Sequence, residues 1–87
     1  MKADKAEVLP LLKTAKGHIE GIIRMVEDDR YCMDISNQIF AVEALMRKTN
    51  KIVLKAHLLS CVYAAAKSGD VDKKIDELVS MLNTLMK

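Results

Sequence analysis

Eighty-seven residues with a formal net charge of +2 make one small domain, residues 1–87, with room for a modest core. No apolar run approaches the length of a membrane span, and the opening MKADKAEV is polar where a signal peptide is apolar, so a cytoplasmic protein with no membrane partner is expected. Hydrophobic residues make up 51% of the chain although Trp is absent and Phe occurs once, and that much aliphatic surface predicts an oligomer.

Three Gly and one Pro leave few breaks, and the pattern predicts an all-α chain of three helices. The first runs from Leu9 or Pro10 to Glu27, with Pro suited to a first helical turn. Val8, Leu12, Ala15, Ile19, Ile22, Ile23 and Val26 recur at spacings of three and four and form its apolar stripe, which EDDRY then breaks. The second helix begins near Asp34 as N-cap and continues through Ile39, Val42, Leu45, Ile52, Val53, Leu59 and Val62 to AAAKSG. Nothing interrupts it for about three times the usual helix length. The third follows Gly69 as a helix stop and Asp70 as a cap, with Val71, Ile75, Leu78, Val79, Leu82 and Met86 as its stripe. Two shorter neighbours do not cover so long a helix. A second copy packed antiparallel against it does, giving a dimeric helical bundle.

The charge is unevenly placed. Residues 32–67 carry five basic and two acidic side chains, a local +3, whereas residues 1–31 balance at six and six.

Two cysteines in a reducing compartment point to ligands or reactive thiols before a structural disulfide. His57 and Cys61 are four apart on the long helix and share a face. Cys32 lies twenty-five residues before His57, about 37 Å along a helix, so within one chain the three do not meet. Between antiparallel chains they do. If Cys32 of one chain lies opposite residues 57–61 of the other, the twofold axis passes near Leu45 and Met46, and two symmetric sites form per dimer. Against this stands the plain alternative of a cysteine as a small buried hydrophobe beside a chance histidine. Two thiolates and one imidazole with no fourth side chain would suit Cu(I), since Zn(II) wants a fourth ligand and hard cations want oxygen.

The stretches GHIEGIIRMVEDDRYCMDISNQI and KAHLLSC resemble the copper-sensitive operon repressor family, and the resemblance runs over nearly the whole chain. It implies antiparallel helical dimers that assemble into tetramers, bind operator DNA and release it on sensing an inducer. It also implies that Cys32, His57 and Cys61 match the Cu(I) ligands and that Tyr31 and Glu77 match positions linking the site to the rest of the fold. The chain departs from the family pattern at Thr14, where an Arg associated with DNA binding is usual, and at His18, where Gln is usual. Lys13 and Lys16 flank Thr14 and are candidates to replace that Arg, without its planar fork. His18 reads as a surface or capping residue.

No helix-turn-helix, zinc finger or basic zipper is present. A basic stripe of Arg47, Lys48, Lys51 and Lys55 lies on one face of the second helix, and by the resemblance Lys48 matches a basic position implicated in operator contact. Such a surface would gain affinity mainly from phosphates. The expected function is a DNA-binding repressor released by Cu(I). The alternative keeps fold and DNA but senses reactive sulfur species by cross-linking Cys32 and Cys61, a behaviour of a sister branch in which the His57 position is usually not His. No oxyanion-stabilising loop or Gly-rich turn accompanies the Cys–His pair, so an enzyme is not expected.

Overall fold

In a computed structural model, which describes residues 1–69 and 71–85, the chain is α1 (Lys5–Glu27), α2 (Cys32–Ser68) and α3 (Val71–Leu85). Among the described residues there is no strand, as the spacing of apolar residues predicts. Two expectations, Asp70 as a cap and Met86 in the last stripe, lie outside the described residues.

The first helix starts earlier than Pro10 suggests. Asp4 stands immediately before the first helical residue and Glu7 falls in the first turn, the Asp-x-x-Glu spacing of a capping box, and an acidic first turn suits the helix dipole. Pro10 therefore lies inside the helix, where it forfeits one i→i−4 donor. Its carbonyl accepts a hydrogen bond from Thr14 Oγ1 at 3.0 Å. At the other end Asp29 takes a left-handed φ of 50°. The Asp29 N–H donates to the Val26 carbonyl at 3.1 Å and the Arg30 N–H to the Met25 carbonyl at 3.0 Å, the paired bonds of a Schellman stop. EDDRY breaks the helix because an aspartate accepts the conformation usually left to glycine.

The second helix also begins earlier than expected, at Cys32. The Tyr31 carbonyl accepts from the Asp34 N–H at 3.0 Å and the Ile35 N–H at 3.2 Å, which makes Tyr31 the N-cap residue and puts Asp34 at the third helical position. A carboxylate is favourable there through the helix dipole, so the signal carried by Asp34 was real but three residues displaced from the N-cap. Gly69 ends α2 as expected: its φ is 75° and its N–H donates to the Ala65 carbonyl at 2.9 Å.

The chain divides into two compact units, Lys5–Asn50 and a second formed by Met1–Asp4 with Lys51–Lys87. In the first, Val8, Ala15 and Thr49 are buried, and Thr49 Oγ1 satisfies its hydroxyl on the Leu45 carbonyl at 2.8 Å. In the second, Ala3, Cys61 and Ala65 are buried. The apolar stripes are only partly covered. Leu12, Ile19, Ile23 and Val26 of α1 remain 39–55% exposed, as do Ile75, Val79 and Leu82 of α3 at 48–50%. Among the described residues no large side chain is fully buried. The chain leaves 6706 Å² accessible, against about 5,100 Å² for a self-sufficient 9.7 kDa protein.

Candidate metal centre and basic surface

His57 and Cys61 stand one turn apart on the C-terminal half of α2, and Glu77 faces them from α3; one ligand atom of each lies within 4.8 Å of the others. The i,i+4 spacing read from the sequence therefore does place the imidazole and the thiol together. The Cys61 side is buried, and the His57 side chain is 45% exposed. The centre thus has a dry wall and an open mouth.

The hydrogen bonding decides what the imidazole can offer. His57 Nε2 and Glu77 Oε1 are 2.9 Å apart. A carboxylate only accepts, so Nε2 carries the proton and donates. In the neutral ring Nδ1 then holds the lone pair, ready for a metal ion. The hydrogen bond from His57 holds the Glu77 carboxyl below the usual glutamate range, and this outweighs the opposing effect of desolvation. The charge of Lys74, whose Nζ is 3.7 Å from Glu77 Oε2, and a hydrogen bond from Cys61 act in the same direction. Glu77 was reachable from the sequence only through family resemblance, being twenty residues from His57. Lys74 was missed, and its i,i+3 spacing from Glu77 was the available signal.

Cys32 and Tyr31 are not part of this cluster. Both belong to the Lys5–Asn50 unit and both are exposed, Tyr31 at 68%. Cys32 occupies the first helical position of α2, where the dipole favours a negatively charged ligand atom. The basic residues singled out above, Lys13, Lys16, Arg47, Lys48, Lys51 and Lys55, are all exposed. Arg47 is engaged along the helix by Glu43, Nη2 to Oε1 at 3.1 Å. Thr14 spends its hydroxyl within α1. His18 is exposed and lines an open cleft with Lys13 and Gln38.

Three helices with a thiol, an imidazole and a hydrogen-bonded carboxylate converging on one point define a helical protein with a candidate soft-metal centre. Comparison with known proteins agrees. The profile of the metal-sensitive transcriptional repressors matches residues 4–84, and the chain belongs to that family, one of repressors and not of enzymes. The copper-sensing transcriptional repressor CsoR of Mycobacterium ulcerans (strain Agy99) is 44% identical over 75 residues, which are 86% of this chain. The chain spans 64% of that relative's length. Among solved structures, the nickel-responsive transcriptional regulator InrS matches with a TM-score of 0.85 at 25% identity, over 98% of this chain and 96% of its own. The copper-sensing repressor CsoR with Cu(I) from Geobacillus thermodenitrificans NG80-2 matches with a TM-score of 0.82 at 32% identity, over 95% of this chain and 86% of its own. Among the described residues no helix is long and apolar enough to cross a membrane.

Proposed function

We propose that this protein is a cytoplasmic repressor that binds operator DNA when metal-free and releases it on binding Cu(I). The carrying observation is the 2.9 Å contact between His57 Nε2 and Glu77 Oε1, which leaves the Nδ1 lone pair uncommitted on an imidazole that clusters with the Cys61 thiol. One chain thus presets a nitrogen and a sulfur. Cys32 of the partner subunit supplies the second sulfur, completing a three-coordinate set that suits a soft monovalent ion. Glu77 is then a hydrogen-bond acceptor that fixes the imidazole, since a carboxylate oxygen is a poor ligand for Cu(I). The copper-sensing relatives and the Cu(I)-bound structure support this choice of ion.

The antiparallel dimer that this site requires also covers the exposed stripes of α1 and α3, and a dimer of such dimers gives the tetramer. Residues 1–87 act as one domain in that assembly. Lys48 and Lys51 contact phosphates, with Arg47 and Lys55 supporting them, because the chain's positive excess is concentrated at residues 32–67, and Lys13 and Lys16 on α1 stand in for the Arg that the family pattern has at Thr14. Drawing the partner's His57 and the partner's Cys61 toward Cys32 repositions α2 and weakens DNA binding. By reciprocity DNA weakens copper binding by the same factor.

The test is fluorescence anisotropy of a labelled operator duplex with reduced protein, titrated anaerobically with Cu(I) and separately with a persulfide donor. Release by stoichiometric copper supports the reading. Release by the persulfide donor alone would replace it with the sulfur-sensing alternative.

A further inference from the structure

Cys32, His57 and Cys61 leave a tetrahedral ion one ligand short, yet a fourth donor stands beside them. Glu77 brings a carboxylate oxygen within 4.8 Å of the ligand atoms of His57 and Cys61. With the partner's Cys32 that makes two sulfurs, one nitrogen and one oxygen, a set that suits Zn(II) and not Cu(I). Both oxygens of Glu77 are committed elsewhere, however. Oε1 accepts from His57 Nε2 at 2.9 Å, and Oε2 faces the Lys74 ammonium at 3.7 Å. Lys74 lies one turn before Glu77 on α3, and its side chain is only 29% exposed. It lines the apolar crevice that Val62, Ala65, Ile75 and Leu78 form between α2 and α3, and a stem seated there restricts where the ammonium can go.

Without that ammonium, a divalent ion in the centre would be the strongest positive charge within reach of Oε2. Zn(II) gains from a carboxylate ligand, whereas two thiolates and an imidazole already satisfy Cu(I). The ammonium also repels a divalent ion twice as strongly as a monovalent one at the same distance. Both effects act against the divalent ion. We propose that Lys74 sets the metal specificity of the centre, holding Glu77 to its role as acceptor from His57 and withholding it from divalent ions such as Zn(II). Lys74 is thus a positioning residue that acts through Glu77 and touches no ion. The inference rests on the reading of Cys32, His57 and Cys61 as a Cu(I) site and adds to it what keeps the fourth ligand away.

The test is anaerobic competition of the reduced, full-length protein against chromophoric chelators, with Zn(II) and Cu(I) titrated separately. Lys74→Met removes the charge and keeps an unbranched, helix-favouring stem of similar length, so the fold is retained. Its ratio of Zn(II) to Cu(I) affinity should rise about tenfold over the parent's, and Lys74→Arg, which restores the cation, should return the parent's ratio. A merely structural defect would weaken both ions and would not produce a gain. Placed in a Glu77→Gln background, Lys74→Met should raise the ratio by about threefold at most, the effect of a solvent-screened charge alone. An equal gain in both backgrounds would overturn Glu77 as the withheld ligand. A parent-like ratio in Lys74→Met, with the parent still taking up Cu(I), would overturn the role of Lys74 and leave the copper site standing. A parent that binds no Cu(I) would remove both readings together.

Discussion

At Asp29 a residue with a side chain holds the left-handed conformation that ends α1, with a φ of 50°. The two backbone bonds of that stop do not depend on the side chain, so Asp29→Gly should keep them and relieve about 1 kcal/mol of strain. A melting temperature raised by roughly 4–8 °C is expected, and a lowered one would show that the carboxylate has a further role. Glu77 makes a different prediction. Because its folded-state pKa is depressed, the stability it contributes is present above the ordinary glutamate value of about 4.3 and is lost as pH falls through the lower folded value. Urea titrations of metal-free parent and Glu77→Gln should therefore differ at neutral pH and converge in acid. Curves that stay parallel throughout would mean that the His57–Glu77 bond adds nothing to the fold. In the copper complex the same substitution should cost roughly 10–100-fold in affinity, because the imidazole loses the partner that orients it. His57→Ala separates binding from response. Cys32 and the partner's Cys61 still suit Cu(I) as a linear pair, so the variant should bind copper yet hold its operator when loaded. Anisotropy showing parent-like release would remove His57 as the lever.

At the scale of the element, the sequence marks where helices stop better than where they start. Gly69 was legible as a stop because positive φ belongs to glycine, and the structure has it at 75°. The starts of α1 and α2 were misplaced for a common reason: the strongest local signal, Pro10 or Asp34, sits inside the first turns and not at the boundary. The i,i+4 pairing of His57 and Cys61 followed from helical geometry alone, whereas Glu77 comes from another helix and no periodicity points to it. For α2 the testable element is its basic residues. Lys48→Ala and Lys51→Ala should each weaken binding to any duplex and lower the salt slope by about 0.9. An unchanged slope in both would move the DNA surface to α1.

For the whole molecule, the accessible area of 6706 Å² and the exposed stripes are the features that one chain does not explain. If a second copy covers them, unfolding is coupled to dissociation, and the melting temperature should rise with protein concentration. A concentration-independent value would leave the chain monomeric and the copper site without its second sulfur. Cys32 does not join the His57, Cys61 and Glu77 cluster in one chain because twenty-five residues of one helix separate it from His57, so the proposed three-ligand site takes its Cys32 from a second copy. The most direct measurement of the divided site is complementation. Cys32→Ala and Cys61→Ala proteins each lack an intact three-ligand site in their own dimers. When they are unfolded together and refolded as an equimolar mixture, half of the dimers pair a good Cys32 with the partner's His57 and the partner's Cys61. Anaerobic titration should then recover about one quarter of the parent's capacity for three-coordinate Cu(I), seen as two sulfurs and one nitrogen by X-ray absorption. A mixture that binds no more than the two variants measured apart would contradict a site shared between chains.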